Sequence, residues 1–463
     1  MKVVFIGGGS FQTLPVARGA MAQRRIFDGG EMNLYDLNAA RAETMGRMLM
    51  TTPEYAKLDC KIKWGTPLEE ALDGADAVSV VIPAGSPLVC SLSDQAHRRL
   101  GFMGSDQLSP SGAFRALTAG PFLLSVARKM EKLCPHAWLA CFANPVAVYS
   151  GMINNHTKIN ALGICGGYTN HMWDLTRLMG KDEFCPDYDV EVAGVNHLSF
   201  IIRGKFRGED LYEVLGRHLT KNWRPPRLRK QWKHMEEHII FGLQKLVELY
   251  RNFGIIIFST EGDGMAHLFY EEMLERGRKG YVPRTKAQIK ADVKRWQQWR
   301  VQADANFRAM LDRDLDKRFW QTYPKKNLGF ARNDQHITVK ILKALAGAGK
   351  QKIVASRPNR GAVEGFKHRT VLEYSQTLDS HGAKPYGKLS IPDGYHGLIS
   401  SIATHQTLLG DAIAAEDPKT LFQALFTYPI HHNTKASRAL YKELLEIHKE
   451  EIPAAFQKAK EYF

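Results

Sequence analysis

The stretch Lys2–Pro15, KVVFIGGGSFQTLP, decides the fold. A five-residue run that reads as a buried strand enters three glycines and a serine, and a helix is expected to follow. A pyrophosphate needs backbone N–H groups at a helix N-terminus with no side chain in the way, so glycines belong at such a strand–helix turn. Gly7 and Gly9 meet that need, and the Ser10 hydroxyl can donate to a phosphate; Phe11 continues the turn and is counted with the cofactor-facing residues. Gln12 stands where the third glycine of G-x-G-x-x-G usually lies, so the helix is expected to sit differently against the sheet. The next strand ends in LYDL. Its Asp36 occupies the place of the acid that hydrogen-bonds the adenosine ribose, which favours NAD over its 2′-phosphorylated relative.

Working outward, apolar and β-branched runs recur at 2–6, 32–36, 60–64, 76–82, 137–142 and 159–164. Helix-like segments such as AARAETMGRMLM and AGPFLLSVARKMEKL lie between most of them. Six strands with helical crossovers predict an α/β fold with a Rossmann-like, doubly wound parallel sheet. After VEVAGVNHLSF (190–200) the texture changes to a helix-rich stretch from about 228 to 320, strand-like KIVAS and TVLEYS, and a helical C-terminus from His396. Two units are therefore expected, with 1–198 binding NAD and 199–463 packed directly on it as a helix-rich α+β domain for metal, substrate and oligomerisation.

The 463 residues exceed one compact core. Composition is that of an ordinary soluble protein, 44% hydrophobic and 24% charged with mean hydropathy −0.31. No run of about 18 apolar residues is present, which argues against a membrane span, and the N-terminus enters a strand with no secretion signal. Six scattered cysteines without a CxxC pair fit a reduced, cytoplasmic chain. The net charge of +15 admits nucleic acid or anionic small substrates. Its densest stretch, 284–320, interleaves acids at helical spacing. It reads as a solvated helix face with its tryptophans packed inward, so no nucleic-acid partner is expected.

The remaining chemistry gathers at strand ends, where open α/β sheets bind ligands. Asn144-Pro145 follows the fifth strand, Cys165 ends ALGICGG, and Asn196-His197 falls in the turn of VAGVNHLSF. No local metal motif has the spacing of Cys165 and His197, thirty-two positions apart. Singly, each also suits a structural role, as a small buried thiol or a satisfied turn histidine.

Together these motifs carry a resemblance. GGGS, the loop GFMGSDQLSPSGAFRAL (101–117), the NP after the fifth strand, GIC and GVNH follow the order seen in glycoside hydrolase family 4. RPNRGAV and HQTLLGDAIAAEDPKTLFQALFTYP are similar to that family too, so the resemblance runs from Val3 to about Pro453. It implies the dehydrogenase-like scaffold of the lactate/malate dehydrogenase superfamily, NAD, and Mn²⁺ or another divalent metal. It also implies a homodimer or homotetramer acting on a small-molecule glycoside. The implied chemistry is oxidation at C3, deprotonation at C2, elimination of the aglycone, addition of water and re-reduction; the family is an exception to the two-carboxylate rule.

On this resemblance Cys165 and His197 match the metal ligands, Asn144 the contact to substrate hydroxyls, with Asn196 beside it, and Asp106 the leaving-group acid. The C2 base is sought in STEGDGMAHLFYEEM (259–273), which offers Asp263, His267 and Tyr270, Asp263 being preferred. Two departures stand beside the sugar site: Gly166 where relatives commonly carry histidine, and Ser109-Pro110-Ser111-Gly112 where phosphosugar members show G-P-G-G. They favour unphosphorylated hexosides or hexuronides, with a 6-phospho-glycosidase as the alternative within the family. A sugar or 2-hydroxy-acid dehydrogenase that releases its keto product, and a nucleic-acid-binding descendant of the fold, remain as other classes.

Overall fold

The computed structural model describes residues 1–258, 260–279, 281–323 and 330–463. Its centre is one mixed sheet. Strands β1 (Lys2–Ile6), β2 (Gly30–Tyr35), β3 (Cys60–Trp64), β4 (Ala77–Val80), β5 (Trp138–Cys141) and β6 (Asn160–Gly163) run parallel in the order β3-β2-β1-β4-β5-β6. That is the doubly wound arrangement the alternating pattern predicts, with each strand within about two residues of its expected place. Both faces of β1 are buried: Val4 and Ile6 join one apolar cluster, Val3 and Phe5 another. This is why the run is continuously apolar instead of alternating.

The sheet does not stop at β6. Strands β7 (Tyr188–Val195), β8 (Leu198–Phe206), β9 (Glu209–Asp210), β10 (Gln351–Pro358), β11 (Val371–Asp379) and β12 (Gly382–Pro385) extend it antiparallel. Beyond β6 the order is β10-β11-β7-β8-β9, with β12 on β11. KIVAS and TVLEYS are therefore β10 and β11, and β7 and β8 pair across residue 198. A single register row crosses the junction: Gly163 faces Ser356, Ser356 faces Glu373, and Glu373 faces Gly194. The ends of β6 and β7 thus lie at one height.

Helices Pro110–Leu133, Val146–His156 and Asp393–Ala415 carry Phe114, Leu123, Tyr149, Met152, Leu409 and Ile413 into the larger core. Among the described residues no helix is long and apolar enough to cross a membrane. The helix Lys286–Arg308 corrects one expectation. Trp320 is buried, but Trp296 and Trp299 are 44% and 62% exposed. The buried residues of this helix are Ile289 and Phe307, five turns apart on one face. The helix docks near its two ends, and the tryptophans lie on the span between them.

At the glycine turn Gly7 adopts φ +85°, and a Cβ there would stand 2.0 Å from the Val81 carbonyl oxygen. Both the left-handed backbone and the close approach to β4 require glycine. Gly7→Ala is expected to lower stability by about 2–4 kcal/mol, from backbone strain plus overpacking; urea denaturation would show it as a fall in midpoint at unchanged slope.

Candidate active site

β6 delivers Cys165 two residues past its end, just before the helix Gly167–Leu178. The Gly167 N–H donates to Cys165 Sγ at 3.3 Å. From the other side, the β7–β8 turn presents His197 at φ +70°, a conformation uncommon for a non-glycine residue. Its Nε2 lies 3.6 Å from Cys165 Sγ and its Nδ1 2.8 Å from Asp263 Oδ1. Asp263 Oδ1 also accepts from the Gly264 N–H at 2.9 Å, and Oδ2 from the Ser105 hydroxyl at 2.5 Å. A Cβ at Gly264 would stand 1.7 Å from the His197 carbonyl oxygen, so glycine is what lets Asp263 approach the turn.

The electrostatics follow from this packing. Burial opposes charge on His197, but Asp263 and the neighbouring thiol outweigh it and hold the imidazole pKa well above its ordinary value. Burial likewise opposes charge on Asp263. The His197 charge and the hydrogen bonds from His197 and Ser105 prevail, keeping its carboxyl well below the usual range.

Cys165 and His197 fit one divalent cation. A separation of 3.6 Å is what two ligands take when bonds of about 2.3 Å to sulfur and 2.1 Å to nitrogen meet near the tetrahedral angle. A carboxylate on the other ring nitrogen is the usual support of a metal-binding histidine. Among the described residues no three His, Cys, Asp or Glu side chains converge as a closed metal set. The chain offers this pair. At the glycine turn the Gly7 and Gly8 N–H groups donate to the Tyr35 carbonyl and the Ser10 N–H to the Gly7 carbonyl, so the backbone is folded tightly on itself. Gly7 is left-handed, and a Cβ at Gly9 would meet Arg41 Cβ at 2.7 Å and Asp36 Oδ2 at 2.9 Å. Asp36 closes the turn by accepting from the Gly9 N–H at 2.9 Å and the Asn38 N–H at 2.8 Å. Ser10 is half-buried in the turn, while Phe11 packs edge-on against Phe307 with Arg41 and Arg300 beside its ring.

A second network runs beneath the first. Asn196, 3% exposed, accepts from Gln107 Nε2 at 2.5 Å and donates to Glu373 Oε2 at 2.7 Å. Glu373 Oε1 accepts from the Ser199 hydroxyl at 2.6 Å, and Gln107 Oε1 accepts from the Val146 N–H at 3.0 Å. Val146 follows the cis Asn144–Pro145 peptide, with Asn144 half-buried at the end of β5.

Of the other predicted residues, Asp106 and Tyr270 make no contact with Cys165, His197 or Asp263, and His267 meets only the Asp263 backbone. Asp106 lines an open cleft of about 430 Å³ with Ser105, Arg115 and Arg284, its carboxylate 3.6 Å from Arg115 Nη1. His267 places Nδ1 2.7 Å from the Asp263 carbonyl oxygen, and its Nε2 is buried without a partner among the described residues. Tyr270 donates to the Gly101 carbonyl and contacts His431 Nε2. At Gly166, a Cβ would stand 3.0 Å from Phe142 Cζ, so the ring of Phe142 fills the space beside it.

Sequence reasoning passed over Ser105, Gln107 and Glu373. Glu373 had a signal, an acid within the apolar strand run TVLEYS; Ser105 and Gln107 flank Asp106 in a loop with none. Burial outweighs the bonds from Ser199 and Asn196 and raises the Glu373 pKa. A raised pKa gives stability that is full below the unfolded value and lost as pH rises through the folded one. The stability of the wild type relative to Glu373→Gln should therefore fall as pH climbs from about 4.3 through the raised pKa, then level off. Urea unfolding of both proteins across that range reads the difference.

Comparison with known proteins bears on this arrangement. The profile described as "Family 4 glycosyl hydrolase" matches residues 2–180, and that of the "Family 4 glycosyl hydrolase C-terminal domain" matches residues 192–430. An alpha-galacturonidase of Thermoanaerobacter italicus is 25% identical over 96% of this chain and 96% of its own. An alpha-galactosidase of Bacillus subtilis is 22% identical over 92% and 93%. A solved structure of a 6-phospho-alpha-glucosidase from gut microorganisms, in complex with NAD and Mn²⁺, superposes with a TM-score of 0.74. It is 18% identical and covers 97% of this chain and 98% of its own, which shows a shared fold.

Proposed function

The chain belongs to family 4 of the glycosyl hydrolases, and from that premise we propose that it is an NAD- and divalent-metal-dependent glycosidase acting on hexosides, uronides foremost. The observation that carries the reading is the Cys165–His197 pair, backed by Asp263, on the same sheet as the glycine turn. Residues 1–198 would hold NAD through Gly7, Gly9, Ser10, Phe11 and Asp36. Residues 199–463 would supply Asp263 and Arg284 and the contacts of a homodimer or homotetramer, while the metal pair and the asparagines beside it belong to 1–198. When bound, NAD would supply a reversible hydride sink at C3 and the cation a Lewis acid at the sugar oxygens, chemistry that would make the C2 proton removable and let the aglycone leave by elimination.

The chain's own residues would divide the work as follows. Cys165 and His197 hold the cation, and Asp263 fixes His197 so that Nε2 faces it. Of the three base candidates, Asp263 is the one whose side chain the fold brings to the pair. Its Oδ2, which accepts from the Ser105 hydroxyl, is the oxygen assigned to the C2 proton. Asn144, beside the cis-proline, contacts the sugar hydroxyls, and Asn196 holds the turn behind them. Asp106 lies on the open cleft as the leaving-group acid. Arg115 and Arg284 on that cleft support an anionic sugar, and the alpha-galacturonidase relative supports a uronide. A 6-phosphate is the second reading, supported by the same arginines.

The decisive assay offers nitrophenyl α- and β-glycosides, uronides and 6-phosphates to the enzyme in D₂O with NAD⁺ and Mn²⁺. Nitrophenol release that needs both additions, with deuterium at C2 of the product and no net NADH, is the expected outcome. NADH accumulating with sugar consumed, without aglycone release, would replace the glycosidase by a dehydrogenase. Cys165→Ser should lower kcat by about 10²-fold or more and blunt the response to Mn²⁺ with the circular dichroism spectrum unchanged; a wild-type metal response would remove Cys165 from the mechanism.

A further inference from the structure

We propose that Gln107 is the positioning residue that holds the metal-side turn at Asn196–His197 in register with the sugar-side loop at Asn144–Val146. Its amide is 3% exposed and engaged at both ends, accepting from the Val146 N–H and donating to Asn196 Oδ1. The direction of this chain is not arbitrary. A backbone N–H can only donate, so the oxygen of Gln107 must face Val146 and its NH₂ must face Asn196. Asn196 then presents its oxygen to Gln107 and its own NH₂ to Glu373.

The two ends of Gln107 belong to different parts of the site. Val146 is two residues from Asn144, past the end of β5; Asn196 is bonded to His197, past the end of β7. Strands β6, β10 and β11 lie between β5 and β7 in the sheet, so no ladder of backbone hydrogen bonds joins the two loops directly. One side chain spans them instead. Its neighbour Ser105, which bonds Asp263, also accepts from the backbone N–H of Gln107 at 3.0 Å. The loop 105–107 therefore touches both supports of the metal pair, the carboxylate behind His197 and the amide before it. Methionine would keep the bulk and lose both bonds, and glutamate would keep the acceptor and lose the donor unless protonated.

This rests on the proposed metal role of Cys165 and His197, and its test is a Mn²⁺ titration of the NAD-loaded enzyme alongside turnover. Outer supports of metal ligands typically account for about 10–100-fold in metal affinity or activity. Gln107→Met should bind Mn²⁺ at least tenfold more weakly and lose at least tenfold in kcat, with NAD affinity within twofold of wild type. Gln107→Glu, compared with wild type at each pH, should approach it as pH falls and the introduced acid gains the proton to donate to Asn196. Variants that fold and match wild type within twofold in Mn²⁺ affinity at every pH would overturn the proposal, even if their melting temperatures drop. Should Gln107→Met fail to fold, the Gln107→Glu profile alone decides. A wild-type enzyme that binds no Mn²⁺ would instead sink the metal assignment on which the proposal stands.

Discussion

The active centre depends on one row of the sheet. Gly163, Ser356, Glu373 and Gly194 face one another across β6, β10, β11 and β7, and that register alone sets the heights of the loops that follow β6 and β7. Four strands at about 4.8 Å spacing would hold the outer two some 14 Å apart if flat. Cys165 and His197 nevertheless come to 3.6 Å, because both chains leave the row and converge above it. A one-residue slip anywhere in the row would turn every side chain of a strand to the other face. It would withdraw Glu373 from Asn196 and leave a buried acid without its donors, a state more costly than the slip itself.

Much of this was legible in the sequence for a physical reason. Parallel strands buried on both faces must be continuously apolar, so β1 to β6 announce themselves, and a phosphate-binding turn must be made of glycine. Cys165 and Asn144 were legible because they follow such strands, and His197 because it falls in the turn after the apolar run VEVAGV. What was not legible is long-range. β10 and β11 are separated from β6 by nearly two hundred residues, and nothing local in KIVAS says that its partner will be Gly163. Gln107 was invisible for the same reason, since its importance lies wholly in what the fold places at its two ends.

The tryptophans of Lys286–Arg308 teach a related lesson. Helical periodicity led to the expectation of inward tryptophans, and it is Ile289 and Phe307 that the helix buries instead, because periodicity states only which residues share a side. Whether that side meets protein along its whole length depends on what lies beneath, and here it does so near the two ends. The C-terminal contact is not incidental. Phe307 rests on Phe11, so a late part of the chain helps to wall the earliest motif.

That last contact, with the row through Glu373, has a bearing on how the protein is made. The N-terminal strands carry their own pattern and can associate as they leave the ribosome. Yet Phe11 lacks its Phe307 contact until residue 307 has emerged, and Asn196 lacks the second of its two partners until residue 373 has. Both contacts are therefore completed only after most of the chain has been made.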